Sequence, residues 1–399
     1  MKFWIGQSIS VFGSQFSPFA IQAIAIGILA ATDTQLGFLA FFNFIPFLVL
    51  GLLVGVWTDR HKRRRIMIYA DFGRAAVLFV IPGVFLLLGL AGFSMNILYL
   101  VTLLAGILTV FFEIAYQANI PSFVQKSQIV DANSKLEASR SVAQVVGPSA
   151  AGFALGVITA PLVVFGDVLG YLSSSFSLLA IRRPEPAMTG QRKSTWHDIR
   201  EGLSVVLGDK RLRAIAATTA TSNLFSNAFG AITIKYLHVD LALSFTSIAI
   251  AFGVGSLGGV LGAVSSKRFI AATGVGRSIV LGAVIGSLPA IGFYFAEPSD
   301  ALVAAVGIGF FTSLGILWYN IPQVSYRQAL VPHEVQGRMN ATMRTIVWGT
   351  IPVGGLMGGV VGDLIGTRPT MGLMAALGSL AFLWVLLSPV RSVKSMPAD

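Results

Sequence analysis

Of the ionisable side chains in or at the edge of long apolar runs, five could do chemistry: Asp71, Arg74, Glu113, Arg140 and Asp167. In hydrocarbon a carboxylate must be paired, hydrated or protonated, so each acid of this kind is a functional candidate. Glu113, inside the run 95–117, could pick up and release a proton. Arg140 enters the run 138–158 from the same side and is the nearest counter-ion in sequence. A titrating acid and a structural ion pair are both open, and a pair that breaks during a cycle would be a gate. Asp167, about two turns into the run 161–181, is a second proton-site candidate. Asp71 and Arg74 lie three apart and can satisfy each other on one helix face.

The elements that hold these groups follow from composition. The 399 residues are 55% hydrophobic and 11% charged, whereas a soluble domain has about 25% charged residues. The apolar runs are near the length that crosses hydrocarbon as a helix, and none has the ten-residue alternation of a membrane β-strand. The expected fold is an all-α polytopic membrane protein with spans at 3–30, 36–57, 66–90, 95–117, 138–158, 161–181, 212–236, 244–264, 277–296, 300–323, 340–362 and 369–389. The run from Phe3 is longer than a cleavable leader and reads as the first of twelve transmembrane helices. If both termini are cytoplasmic, 26 of the 28 Lys and Arg residues fall inside and only Lys235 and Arg368 outside. Loop bias thus explains the net charge of +11 without nucleic acid.

Residues 182–211 divide the chain into an N-terminal half, 1–181, and a C-terminal half, 212–399. Within this linker Thr195 to Asp198 reads as a helix start, and Trp196, Ile199, Leu203 and Val206 follow at helical spacing. An amphipathic helix on the cytoplasmic surface is expected there.

An offset near 207 residues superposes Gly51, Gly55 and Arg60 on Gly258, Gly262 and Lys267, and Phe111-Phe112-Glu113 on Trp318-Tyr319-Asn320. Such a repeat predicts two pseudo-symmetric six-helix halves. Glycines four apart recur in every third run, at Gly51/Gly55, Gly152/Gly156, Gly258/Gly262 and Gly354/Gly358. Each row is expected to admit a closely packed neighbour.

Two motifs carry a family resemblance. Gly55, Asp59, Arg60, Arg63 and Arg64 match the loop signature between the second and third spans of the major facilitator superfamily, with Lys62 in place of its second glycine. Gly147, Pro148 and Gly152 resemble the antiporter motif of drug exporters in that superfamily, with alanines at two glycine positions. The segments 113–121, 133–140 and 331–340 are similar to the branch holding macrolide-efflux proteins and the enterobactin exporter. The resemblance implies alternating access, export, proton antiport and a gating role for Asp59 against the amino end of span eleven. Helical spans place the chain in the inner (cytoplasmic) membrane, and the resemblance adds a bacterial source.

In that fold the first and fourth spans of each half surround the substrate path. Cavity candidates are therefore Gln15 and Gln22, which share a stripe with Ser8; Asn223 and Asn227, which follow Thr219; and Tyr116, Trp318, Tyr319, Asn320 and Gln323. Aromatic walls with a few donors suit a small amphipathic compound. Interhelical hydrogen bonding is the alternative for each of them. The absence of cysteine removes disulfides and thiolate chemistry, and all four histidines fall in connections, so no metal or cofactor is implied. There is no phosphate-binding loop for ATP, and Ser149 lacks an intramembrane base, so an enzyme is not expected. The expected partners are the lipid bilayer, a small-molecule substrate and protons, with the chain as a monomer. A lipid transporter or flippase on the same fold, or a non-transporting sensor, is the other reading.

Overall fold

The computed structural model describes residues 2–58, 60–123, 129–181 and 195–396. Asp59 and residues 182–194 lie outside the described residues. The chain is helical and divides into two compact units: Met1–Gln191 with Ser244–Gly253, and Arg192–Leu243 with Val254–Asp399.

The first unit holds α1 (Lys2–Gly13), α2 (Phe16–Gly27), α3 (Asp33–Thr58), α4 (Arg63–Leu88), α5 (Met95–Phe123), α6 (Ile129–Val157), α7 (Ala160–Val163) and α8 (Phe165–Leu179). Next come α9 (Thr195–Gly208), α10 (Lys210–Lys235) and α11 (Phe245–Thr273), whose first turns group with the first unit. The second unit continues with α12 (Val275–Ser287), α13 (Gly292–Phe295), α14 (Ala301–Leu330), α15 (His333–Trp348), α16 (Thr350–Ile365), α17 (Thr367–Ser379) and α18 (Phe382–Leu386). Among the described residues ten helical stretches are long and apolar enough to cross a membrane. The more polar α6 and α10, 29 and 26 residues long, are not among those ten. Leu87, Val264, Val303, Leu364 and Leu387 are each more than three-quarters exposed, a pattern suited to lipid rather than water.

Local chemistry explains where expected continuous spans break. The run 3–30 divides at Ser14 and Gln15 into α1 and α2. Pro18 has no N–H for the Ser14 carbonyl, and the Ser14 hydroxyl donates to the Val11 carbonyl at 2.8 Å. Pro352 likewise cannot donate to the Trp348 carbonyl, and α15 gives way to α16 there. The connections after α2 and after α10 carry the two non-glycine residues of positive φ among those described, Ala30 at 47° and Ala242 at 54°.

The linker helix α9 turns its apolar side onto α15. Val206 is fully buried among Leu212, Met339 and Met343. Glu201 and Arg338 pair at 2.5 Å, and a Cβ at Gly202 would lie 2.7 Å from the Arg338 carbonyl oxygen. Leu203 and Leu207 stay exposed. This helix therefore buries part of its apolar face in protein, where the sequence pattern placed it on the membrane surface. The side chains of Trp196 and Ile199 lie outside the described residues. Asp209 then caps α10, accepting from the Arg211 and Leu212 backbone N–H groups at 2.7 and 3.3 Å. The Arg211 side chain, hydrogen-bonded to it, holds the Asp209 carboxyl below the usual carboxylate range.

The glycine rows diverge. In the second unit, a Cβ on Gly258 would run into the Phe310 carbonyl, and one on Gly262 would lie 2.9 Å from both the Leu314 oxygen and Leu317 Cβ, so α11 and α14 are in backbone contact. Gly354 and Gly358 on α16 press on the Leu224 and Ala228 backbone of α10. Gly51 and Gly55 on α3, expected to admit a neighbour in the same way, have nothing within 4 Å among the described residues. The α3–α5 approach instead uses a glycine on the other helix, Gly106, whose added Cβ would lie 2.9 Å from the Asn43 carbonyl oxygen.

Candidate functional site

In the first unit α1, α4, α5, α6 and α8 enclose a cavity of about 130 Å³. Gln7, Ser10, Ser14 and Gln15 face it from α1 and the α1–α2 break, Arg74 from α4, Glu113 and Tyr116 from α5, Arg140 and Gln144 from α6, and Tyr171 from α8. Glu113 Oε1 and Arg140 Nη2 are 3.6 Å apart, with side chains 27% and 42% exposed. The geometry is a loose ion pair at the cavity wall.

Deeper in, the charge is fully enclosed. Asp71 and Arg74 form a buried ion pair one helical turn apart on α4. The Arg74 guanidinium is sandwiched between the Phe112 and Tyr171 rings, 4.1 and 4.0 Å from their centroids. A flat, delocalised cation suits that slot as an ammonium would not. Asp167, one turn before Tyr171 on α8 and 2% exposed, lies within electrostatic reach of Ser17, Arg74, Tyr171 and Asp71. Beside this cluster Gln7 donates to the Ser174 hydroxyl at 2.6 Å.

The antiporter-like motif forms the floor beneath Gln15. A Cβ on Gly147 would lie 2.6 Å from Gln15 Cβ, so only glycine leaves room for that side chain at the α1–α2 break. Pro148 sits inside α6 without ending it. Gly152 meets Ala249 of α11, and the Thr246 hydroxyl donates to the Gly152 carbonyl at 3.0 Å.

The remaining sequence candidates lie elsewhere. Gln22 is not on the cavity wall, and its Oε1 is buried without a hydrogen-bond partner among the described residues. In the second unit Asn223 donates to the Val347 carbonyl at 3.2 Å, and Asn227 to the Asn223 carbonyl at 2.8 Å. Tyr319 is buried with its hydroxyl 2.6 Å from that of Thr219. Gln323 donates to Asn320 at 3.3 Å. Trp318 stacks on Phe269 at 4.0 Å and donates to Ser265 at 2.9 Å, on the side of α11. These residues make interhelical and intrahelical bonds, and Trp318 and Tyr319 turn to different neighbours.

In the loop signature, Arg60 is exposed and Arg63 and Arg64 are half-buried at the start of α4. Lys62 has φ −65° and ψ 106°, which any residue adopts, so a glycine is not required at its position.

Sequence reasoning missed Gln7, Ser10, Ser14, Gln144 and Tyr171. Their spacing carried a signal. Gln7, Ser10 and Ser14 share one face of α1, Gln144 is one turn beyond Arg140, and Tyr171 is one turn beyond Asp167.

Macrolide efflux protein A of Streptococcus pyogenes is 24% identical over 383 residues, covering 92% of this chain and 89% of that protein. The protein of the same name from Enterococcus faecalis is 25% identical over 326 residues, covering 78% of this chain and 96% of its own. A bacterial homologue of the iron transporter ferroportin, solved in an inward-facing state, superposes with a TM-score of 0.75 at 16% identity, covering 96% of this chain and 98% of that one. Residues 3–353 match the family description Major Facilitator Superfamily, and the chain belongs to that superfamily as a multi-pass membrane transporter, not an enzyme.

Proposed function

We propose that the chain is a proton-coupled exporter of a small amphipathic compound, drug-like, macrolide-like or siderophore-like, working by alternating access in the cytoplasmic membrane. The observation that carries this reading is the Glu113–Arg140 pair on the wall of a polar cavity inside the first unit. A pair this exposed contributes about 1 kcal/mol or less. Binding of a substrate can therefore open it, which is what a gate requires and a structural strut does not. The names of the macrolide efflux relatives and the antiporter-like Gly147, Pro148 and Gly152 support the direction of transport. In this reading the protein works as a monomer in the bilayer with protons as coupling ion and both termini inside, and it engages no nucleic acid.

The test uses inside-out vesicles and the macrolide erythromycin. A proton gradient should drive its accumulation in vesicles bearing the wild type, and Glu113→Gln and Arg140→Gln should each lower that accumulation at equal protein level. Gradient-independent uptake would exclude antiport. Undiminished uptake by both variants would remove the gate.

A further inference from the structure

We propose that Asp71, Arg74 and Asp167 form a single site that holds one exchangeable proton, and that this proton, not one on Glu113, is the one coupled to transport. The coupling clause rests on the exporter reading above; the one-proton count does not. The count follows from charge. Asp71 is 0% exposed, Arg74 4% and Asp167 2%. Two carboxylates share one guanidinium, so the cluster carries a net negative charge unless a proton is bound. An uncompensated buried charge is among the most expensive things a protein interior can hold. Neutrality demands one proton for the three groups.

Among the described residues around the cluster the one other cation, Arg140, is paired with Glu113. α1 contributes Gln7 and Ser10, α2 contributes Ser17, α5 contributes Phe112, Tyr116 and Glu113, α6 contributes Arg140 and Gln144, and α8 contributes Tyr171 and Ser174. Arg140 faces Glu113. Oδ2 of Asp71, Nε of Arg74 and Oδ1 of Asp167 have no hydrogen-bond partner among the described residues, so the cluster has unused capacity on both acids.

The internal repeat argues against a purely structural need for these charges. At the 207-residue offset the second half places Ser278, Leu281, Asn320 and Met374 where the first has Asp71, Arg74, Glu113 and Asp167. Ser278 and Met374 are as deeply buried as the acids they correspond to, at 0% and 2%. The same helical arrangement therefore folds without the charges.

A route to the site is present. Arg74 and Tyr171 line the cavity while Asp71 and Asp167 lie behind them, and Gln7, Ser10, Ser14 and Gln144 give water on the near side its hydrogen-bond partners. In loading, a hydronium in the cavity gives its proton to the Tyr171 hydroxyl oxygen as that hydroxyl passes its own proton to an Asp167 carboxylate oxygen. Two O–H bonds form as two break, and water is left. Release to the opposite side is the reverse step.

The experiment counts protons directly, on the purified full chain in lipid nanodiscs with no transported compound. Infrared difference spectra across a pH titration should show the carbonyl band of a buried carboxylic acid in the wild type and in Glu113→Gln. That band should be lost in Asp167→Asn and in Asp71→Asn, because either change leaves a neutral pair. It should grow in Arg74→Gln, where two acids must each be neutralised. A wild type without the band, or a band that survives both Asp→Asn changes, overturns the proposal even if a variant folds poorly. In liposomes Asp167→Asn should lose gradient-driven erythromycin accumulation and keep erythromycin exchange. Gradient-driven accumulation retained in Asp167→Asn overturns the coupling role. A wild type that shows the band but never accumulates erythromycin under a gradient fails the exporter reading, not the proton count.

Discussion

Gly51 and Gly55 on α3 and Gly258 and Gly262 on α11 hold matching places in an internal repeat and have opposite surroundings. The α11 pair lies against the backbone of α14, and the α3 pair meets none of the described residues. Yet α3 and α5 also approach closely, through Gly106. The two halves thus solve the same packing problem with the glycine on different partners. A glycine row records that a close approach is permitted, not that it is made.

That contrast can be broken by substitution. Gly258→Ala should have the largest effect, about 1–3 kcal/mol of destabilisation, because the obstructing Phe310 carbonyl is backbone and cannot rotate away. The measurement is the thermal midpoint of detergent-solubilised protein followed by tryptophan fluorescence. Asp209→Ala comes next, costing about 1 kcal/mol at neutral pH through loss of the α10 cap. The Asp209 carboxyl is held below its unfolded value, so its contribution is full above that value and is lost as pH falls through the lowered one. The gap between variant and wild type should accordingly close in acid. Gly51→Ala and Gly55→Ala should lose nothing and gain up to about 1 kcal/mol each from helix propensity. A midpoint drop as large as that of Gly258→Ala would end the distinction between the rows. Smallest of all, Ala30→Gly and Ala242→Gly should each gain a few tenths of a kcal/mol by relieving the left-handed backbone. Both positions are exposed, so equal shifts are expected, and unequal ones would show that the symmetry of the two connections is superficial.

The helical class and the Asp71–Arg74 and Glu113–Arg140 pairs were legible because each follows from short-range rules: hydropathy over one span, a three-residue spacing, an acid and a base approaching from one side. What lay beyond the sequence depends on helix rotation. Trp318 and Tyr319 are neighbours in the chain and point to different helices, and no periodicity argument chooses which of two adjacent aromatics meets a cavity. The place of Asp167 behind Tyr171 depends on how α8 turns against α4. The α1–α2 break was visible in principle, since Pro18 cannot serve the Ser14 carbonyl, but proline inside a membrane run is common enough to be read through.

The contact of α6 with the first turns of α11 has a mechanical side. Besides the backbone carbonyls of Val145 and Phe245, its members are Ser149, Gly152, Gly156, Thr246, Ala249 and Gly253, none with a side chain larger than threonine's. Helices that touch through long side chains interlock, and moving one along the other means lifting each knob out of its hole. Here there is almost nothing to lift. The surface works as a plain bearing, tight enough to keep two helices at a fixed distance and smooth enough to let them shear.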